Sequence, residues 1–163
     1  EDPAGASGDP GMIRTDRRIR LCVVLLIVIL AFIWGNSLMP GTVSQSISNW
    51  VQKLLMDVQL DREGNPEGNG ILRKIAHFTE FAALGMTLGW LFGMLQKKKH
   101  IPILLGVTAA CIDETIQAFV PGRSPGLKDV LIDSCGVAAG MILIYLGHIY
   151  FKRKSNQILM EDK

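Results

Sequence analysis

Residues 71–95 read ILRKIAHFTEFAALGMTLGWLFGML, a stretch that is mostly apolar but carries ionisable residues in its first half. At about 1.5 Å per helical residue, such a segment is long enough to cross a hydrocarbon core of about 30 Å. Three further apolar blocks of comparable length lie at 21–38, 101–120 and 127–151. The chain is therefore predicted to be an all-α membrane protein, a bundle of four transmembrane helices.

Basic residues gather beside alternate ends of these blocks, and this asymmetry predicts the orientation of the chain. They precede the first block, connect the second to the third, and follow the fourth: Arg14, Arg17, Arg18, Arg20; Lys97, Lys98, Lys99; Lys152, Arg153 and Lys154. Because positive charge is preferentially retained in the cytoplasm, the N and C termini are both predicted to be cytoplasmic. Residues 40–70 and 121–126 then face the outside.

The longer outer segment divides into two parts. Apolar residues recur at helical spacing through 46–60, whereas 61–70 is rich in Gly, Asn and Pro. We expect a short amphipathic helix followed by a turn, with the helix either lying on the membrane surface or capping the bundle. The other outer segment, 121–126, is so short that the third and fourth spans are predicted to be antiparallel neighbours.

Gly136 and Gly140 form a GxxxG pair in the fourth block. Small residues at this spacing let two helix backbones approach each other closely. The pair predicts close packing, either against another helix of the same chain or between two copies of it. Packing within the chain is the favoured interpretation.

Composition excludes other classes of protein. A formal net charge of +2, without a basic stripe, argues against a nucleic-acid binder. The three cysteines, Cys22, Cys111 and Cys135, all lie inside apolar blocks, and no disulfide framework or CxxC metal pattern is present.

The N-terminal stretch EDPAGASGDPG, residues 1–11, has the composition of a cloning remnant. A single domain over 12–163 is therefore expected. The basic and apolar residues of 14–38 also fit a signal peptide, but without a small-x-small cleavage pattern we favour an uncleaved first helix.

Ionisable side chains inside three of the blocks predict a polar pocket. Each such group costs about 2.5 to 3.5 kcal/mol to insert, so each needs a partner or a purpose. Counted at about 1.5 Å per residue from the outer helix ends, Glu80, Asp113 and Asp133 each lie about 10 Å below the outer surface. The polar faces of the second, third and fourth helices are therefore predicted to form one pocket that opens to the outer leaflet.

The chemistry of these side chains suggests two roles. Those able to transfer a proton are predicted to be catalytic: His77, Glu80, Asp113 and Glu114. Those able to hold a polar or charged ligand are predicted to bind substrate: Lys74, Gln117, Arg123, Ser124, Asp129 and Asp133. Of these, Arg123 and Ser124 are expected at the rim.

Three interpretations of the pocket stay open. The predicted pocket region contains five acidic side chains and three basic ones, with His77 counted as neutral. Either some of the carboxyls are therefore protonated or a cation lies among them. His77 with Glu80 and Glu114 forms either an acid/base pair or a metal set, but HxxE is a weak motif and leaves the metal and any cofactor unknown. In the third interpretation, Lys74, His77 and Arg123 neutralise the acids in a structural network.

At these residues the sequence resembles the VanZ-like family of bacterial membrane proteins. The matching pattern is Lys74-x-x-His77-Phe78-x-Glu80-Phe81-x-x-Leu84-Gly85, then Asp113-Glu114-x-x-Gln117-x-Phe119-x-Pro121-x-Arg123, then Asp129-x-x-x-Asp133-x-x-Gly136-x-x-x-Gly140. The resemblance covers residues from about 21 to 150. The chain departs from the family pattern at Phe81, where Tyr is frequent, and at Asp133, where Asn is usual.

The resemblance implies a multi-pass protein of the bacterial cell membrane, linked to lowered susceptibility to teicoplanin-type glycopeptide antibiotics or to a housekeeping role in the envelope. The implied partners are the lipid bilayer and a lipid-linked cell-wall precursor or a lipoglycopeptide. The pocket, on the extracytoplasmic side, is then expected to bind such an amphiphile. Whether it also modifies the ligand, as an enzyme, is left open. The alternative is a non-catalytic structural or assembly protein of the envelope with a buried ion network.

Overall fold

The computed structural model describes residues 10–56, 66–96 and 100–161, and the regular structure within them is helical. The helices of this part are α1 (Pro10–Ser37), α2 (Gly41–Met56), α3 (Pro66–Met94), α4 (His100–Ala118) and α5 (Leu127–Glu161). All but α2 contain a segment long and apolar enough to span a membrane: Thr15–Ser37, Ile71–Met94, His100–Ala118 and Leu127–Ile158. The predicted helical membrane architecture is confirmed.

Several helix ends differ from the predicted blocks. The helix predicted over 46–60 begins at Gly41, and α3 begins at Pro66, so the turn predicted over 61–70 is wrong for 66–70. Pro40 directly precedes α2, and Pro66, which belongs to the predicted turn, is the first residue of α3. At the start of a helix the fixed φ of proline is favourable and its missing N–H costs nothing. The stretches 57–65 and 97–99 lie outside the described residues. At the other end of the chain, α5 continues to Glu161 instead of ending near residue 151.

Helix α2 is attached to the bundle but carries apolar side chains on its exposed face. Val43, Ile47 and Trp50 recur at the spacing of one helix face, and all three are exposed. The Gly41 backbone N–H donates to the Pro121 carbonyl oxygen at 3.1 Å, which ties the start of α2 to the turn between α4 and α5. An exposed apolar stripe favours the membrane-surface interpretation over a helix that caps the bundle.

The most extensive helix contact is that of α3 with α5. A Cβ at Gly136 would meet the Phe78 carbonyl oxygen, and one at Gly140 would overlap the backbone of Ala82 and Met86. Because both partners advance in the same direction along the sequence, the two helices are parallel. The GxxxG pair therefore packs within the chain, as favoured from the sequence.

The apolar core surrounds this contact. It consists of buried residues from α1, α3, α4 and α5: Ile33, Phe81, Leu84, Leu88, Ala109, Ala110 and Val137. Phe81, at the position where the family pattern often has Tyr, is fully buried, so its ring fills the core and lies apart from the cleft described below. Helix α4 contacts both α3 and α5, so the third and fourth spans are neighbours as predicted.

Substitution of Gly140 by Ala tests the helix contact. The added Cβ would overlap the Ala82 carbonyl oxygen, so we expect a loss of about 1–3 kcal/mol in the free energy of unfolding. Gly147→Ala, on the same helix with nothing within 4 Å of the added Cβ, is the matched control and should change little. Thermal unfolding in detergent, followed by tryptophan fluorescence, measures both. Equal Tm values for the two variants would contradict the packing described here.

Candidate functional site

The polar residues of the spanning helices meet at one end of the bundle. Helices α1 and α4 end there, and α3 and α5 begin there. The residues in question lie within the first turns of the spans in α3 and α5 and the last turns of those in α1 and α4. This arrangement brings polar side chains from four separate stretches of sequence to one level.

Two buried aspartates and a largely buried histidine form the centre of the site, and we call them the buried cluster: His77 of α3, Asp113 of α4 and Asp133 of α5. His77 Nδ1 lies 3.7 Å from Asp113 Oδ2 and 3.9 Å from Asp133 Oδ1. The side chains are 14%, 0% and 1% exposed, in that order. Both separations exceed hydrogen-bond length, so the carboxylates face the imidazole without bonding to it.

Gln117 holds one carboxylate of the cluster in place. Its Nε2 donates to Asp113 Oδ2 at 2.8 Å and to Ser37 Oγ at 3.2 Å. Gln117 and Ser37 are themselves buried. The last residue of α1 is therefore connected through the Gln117 amide to the oxygen of Asp113 that faces His77.

Two other predicted acids are engaged elsewhere. Asn36 Nδ2 donates to Glu80 Oε1 at 3.0 Å, so Glu80 binds α1. The Gly126 N–H donates to Glu114 Oε2 at 2.8 Å, so Glu114 binds the turn before α5. The set that the structure gathers around His77 is thus Asp113 and Asp133, in place of the predicted alternative with Glu80 and Glu114. Adjacent residues on a helix point about 100° apart, which is why Asp113 and Glu114 face different neighbours.

Arg123 is bound to the end of α1. Its Nη2 donates to the Asn36 carbonyl oxygen at 2.8 Å and its Nε to the Met39 carbonyl oxygen at 3.2 Å. A cation at a helix C-terminus satisfies carbonyls that have no partner in the helix and interacts favourably with the helix dipole. Burial lowers the pKa of the Arg123 guanidinium from its ordinary value, but a guanidinium stays protonated in proteins.

A cleft of about 240 Å³, measured with its open mouth, reaches the cluster from this end of the bundle. Its lining residues come from α3, α4 and α5: Arg73, Lys74, His77, Glu114, Gln117, Asp129, Ile132 and Asp133. Lys74 is exposed, whereas Arg73 and Asp129 are half-buried. Glu80 and Arg123 do not line the cleft, and Ser124 is exposed outside it.

Three residues of the site were not singled out from the sequence. Asn36 and Ser37 end the first span, at the level where the polar residues of the other spans lie. We would have found Asn36 and Ser37 by also counting residues from the outer end of the first block, as was done for the other three. Arg73 lines the cleft beside Lys74, and only the three-dimensional structure shows that it does.

Arg123→Lys should destabilise the fold, because a lysine ammonium cannot reproduce the two guanidinium bonds to the carbonyl oxygens of Asn36 and Met39. Hydrogen bonds of charged donors contribute about 1.5–3 kcal/mol each, so we expect a loss of that order in the free energy of unfolding. Arg153→Lys, at an exposed position near the far end of α5, is the control. Chemical unfolding in detergent gives the comparison, and an Arg123→Lys protein as stable as the control would show that these bonds contribute little.

Comparison with known proteins agrees with the motif pattern. Residues 22–149 match the family model described as VanZ/LLP1. No curated protein and no solved structure matches the chain. The matched region includes the buried cluster, the residues that line the cleft and the glycines between α3 and α5. The resemblance inferred from the sequence is confirmed.

Proposed function

The chain belongs to the VanZ/LLP1 family, and we propose that its cleft binds an amphiphile of the outer leaflet, either a lipid-linked cell-wall precursor or a lipoglycopeptide antibiotic. In this proposal the protein lies in a bacterial cell membrane and lowers susceptibility to teicoplanin-type antibiotics. The observation that carries the proposal is the cleft, where charged and polar side chains from three helices line one opening at the end of an apolar bundle.

The cations of the cleft support a ligand with an anionic head group. Arg73 and Lys74 both line it, and among the described residues neither lies within 4.0 Å of a carboxylate oxygen. Side chains that neutralised the acids structurally would be paired with them. Arginine forms two parallel bonds to a phosphate and lysine adds a point charge, so the pair suits a lipid phosphate or diphosphate.

The surface beside the cleft supports a ligand with an apolar tail. Ile132 lines the cleft, and exposed apolar side chains follow on the helices that flank it, among them Ile75 on α3 and Leu131 on α5. In a spanning bundle such side chains face lipid. An amphiphile would place its head group in the cleft and keep its chain in the bilayer.

The proposal requires the cleft to face outward. Arg17, Arg18 and Arg20 lie near the start of α1, and Lys152–Lys154 lie near the end of α5, both far from the cleft along their helices. Retention of these charges in the cytoplasm supports an outward-facing cleft.

Single cysteines test this orientation in a chain whose three native cysteines are replaced by alanine. Ser124→Cys, next to the cleft, should react with a membrane-impermeant thiol reagent in intact cells, and Ser155→Cys should react only after lysis. Both positions are exposed, so access differs only by the side of the membrane. The reverse labelling pattern would place the cleft in the cytoplasm and end the proposal.

His77→Gln tests the function of the site. It keeps approximate size and a hydrogen-bonding end but removes the basic imidazole, so cells carrying it should be as susceptible to teicoplanin as cells without the protein. His148→Gln, at an exposed position in the far half of α5, is the matched control and should retain the wild-type susceptibility. Minimum inhibitory concentrations, with protein amounts equalised by immunoblot, measure the effect.

Thermal unfolding of the same variants separates a functional site from a structural network. The interhelical bonds of Gln117 with Ser37 and of Asn36 with Glu80 favour the alternative of a non-catalytic envelope protein with a buried ion network. Loss of Tm in parallel with loss of the phenotype would support that alternative. Unchanged Tm with a lost phenotype supports the cleft.

Mass spectrometry of envelope lipids distinguishes modification from binding. Cells with and without the protein are compared, and a lipid or precursor that changes mass only with wild-type His77 shows turnover. A ligand that copurifies unchanged with the protein shows binding alone.

A further inference from the structure

We propose that the buried cluster of His77, Asp113 and Asp133 binds a divalent transition-metal ion, with Zn²⁺ as the ion that its donors suit best. The cluster offers one imidazole nitrogen and two carboxylate oxygens, and these atoms all lie within 4.8 Å of one another. Zinc takes histidine nitrogen and carboxylate oxygen as ligands, whereas Mg²⁺ and Ca²⁺ prefer sites made of oxygen alone.

Three carboxylate oxygens of the buried cluster have no hydrogen-bond partner. Asp133 is 1% exposed and both of its carboxylate oxygens lack a hydrogen bond, as does Oδ1 of Asp113. Asp133 Oδ1 is the atom that faces His77 Nδ1. A carboxylate buried without a partner is costly by several kcal/mol, so Asp133 either takes up a proton or faces a positive charge, and the position between its Oδ1 and His77 can hold such a charge.

The side chain that could supply a positive charge to the two aspartates is His77. Within the described parts of the chain, His77 is the one ion-pair partner within 4.0 Å of either aspartate, and its single Nδ1 faces both carboxylates. One N–H cannot bond to two oxygens that lie 3.7 and 3.9 Å away. If both aspartates are ionised, a water molecule would satisfy hydrogen bonds but would leave their negative charge uncompensated.

The distances between the three candidate ligand atoms are close to those of a zinc site. Zinc bonds of about 2.0–2.2 Å put neighbouring ligand atoms about 3.4 Å apart in a tetrahedron. The distances of 3.7 and 3.9 Å from His77 Nδ1 to the two oxygens are a little longer, and the three atoms lie within 4.8 Å of one another, so small side-chain rotations would bring them to the ion. Three protein ligands leave a fourth position open, which is the arrangement of zinc sites that admit water or a substrate.

The surroundings of the cluster offer both support for a ligand and access for an ion. Ligating carboxylates in metal sites are held by further hydrogen bonds, and Gln117 supplies such a bond to Asp113 Oδ2, supported in turn by Ser37. The cleft provides access from solvent, since His77 and Asp133 both line it. The inference does not depend on the ligand proposed above, because it concerns the protein alone.

Zinc titration of the purified protein tests the proposal. Protein in detergent, with any polyhistidine tag removed and treated with chelator, is titrated with ZnCl₂ in a calorimeter, and the bound metal is counted by mass spectrometry. We expect about one Zn²⁺ per chain and a Tm that rises with zinc, because binding to the folded state alone stabilises it. Millimolar Mg²⁺ or Ca²⁺ should not displace the zinc. Wild-type protein that binds no zinc at micromolar concentration overturns the proposal.

Variants then identify the ligands. Asp133→Asn and His77→Gln should each weaken zinc binding by more than about 100-fold, and Gln117→Met, which keeps all three ligands, by about 10–100-fold. Asp16→Asn is the control, because it removes the same charge at an exposed position near the start of α1, at the opposite end of the bundle from the cluster. Should Asp133→Asn fail to fold, Gln117→Met still gives the answer.

Two results with folded protein would contradict the site. Asp133→Asn protein that binds zinc like wild type would place the ion elsewhere. Wild-type protein that binds no zinc, together with an Asp133→Asn variant of higher Tm, would show that a proton shared by the aspartates takes the place of the metal. Because these titrations use no susceptibility readout, their failure is distinguishable from failure of the proposed ligand binding.

Discussion

The close approach of α3 to α5 is the constraint on which the site depends. Gly136 lies against the carbonyl oxygen of Phe78, so the two helices are in backbone contact and run in the same direction. His77 directly precedes Phe78, and Asp133 lies three residues, almost one turn, before Gly136. The helix contact that leaves no room for a side chain at residue 136 therefore also sets the distance between the His77 imidazole and the Asp133 carboxylate. A larger residue at position 136 would push α3 and α5 apart, and this would separate the residues of the buried cluster as well as those of the apolar core.

Helices α4 and α1 supply the remaining residues of the site that α3 and α5 begin to form. A Cβ at Gly106 of α4 would meet the side chain of Val137, and two turns further along the same helix Asp113 reaches His77. Apolar packing in one half of the bundle thus positions a charged residue in the other half. The end of α1 then covers Asp113 through Ser37 and Gln117. Burial of the acids is unfavourable by itself, and the packing of the apolar half offsets it.

Hydrogen bonds divide the polar residues into those that hold the helices together and those that stay available. Arg123 and Glu80 are bonded to α1, so their charges are used within the fold. Arg73 and Lys74 line the cleft without an ion-pair partner among the described residues, which is why we assign them to a ligand. The buried cluster lies deeper, and we assign its carboxylates to a cation. A head group and a metal ion would therefore occupy adjacent parts of one cleft.

The sequence by itself determined the four spans, the common level of their polar residues, the close helix contact at the GxxxG pair and the family. These depend on local quantities: the length of an apolar block, the rise of a helix and the spacing of small residues. Only the tertiary structure decided that His77 faces Asp113 and Asp133, that Arg123 binds the end of α1, and that this helix contributes to the site. Asp113 and Glu114 are equivalent candidates in sequence, yet they point about 100° apart on α4. The rotation of each helix about its own axis selects between them, and that rotation is set by contacts between residues distant in sequence.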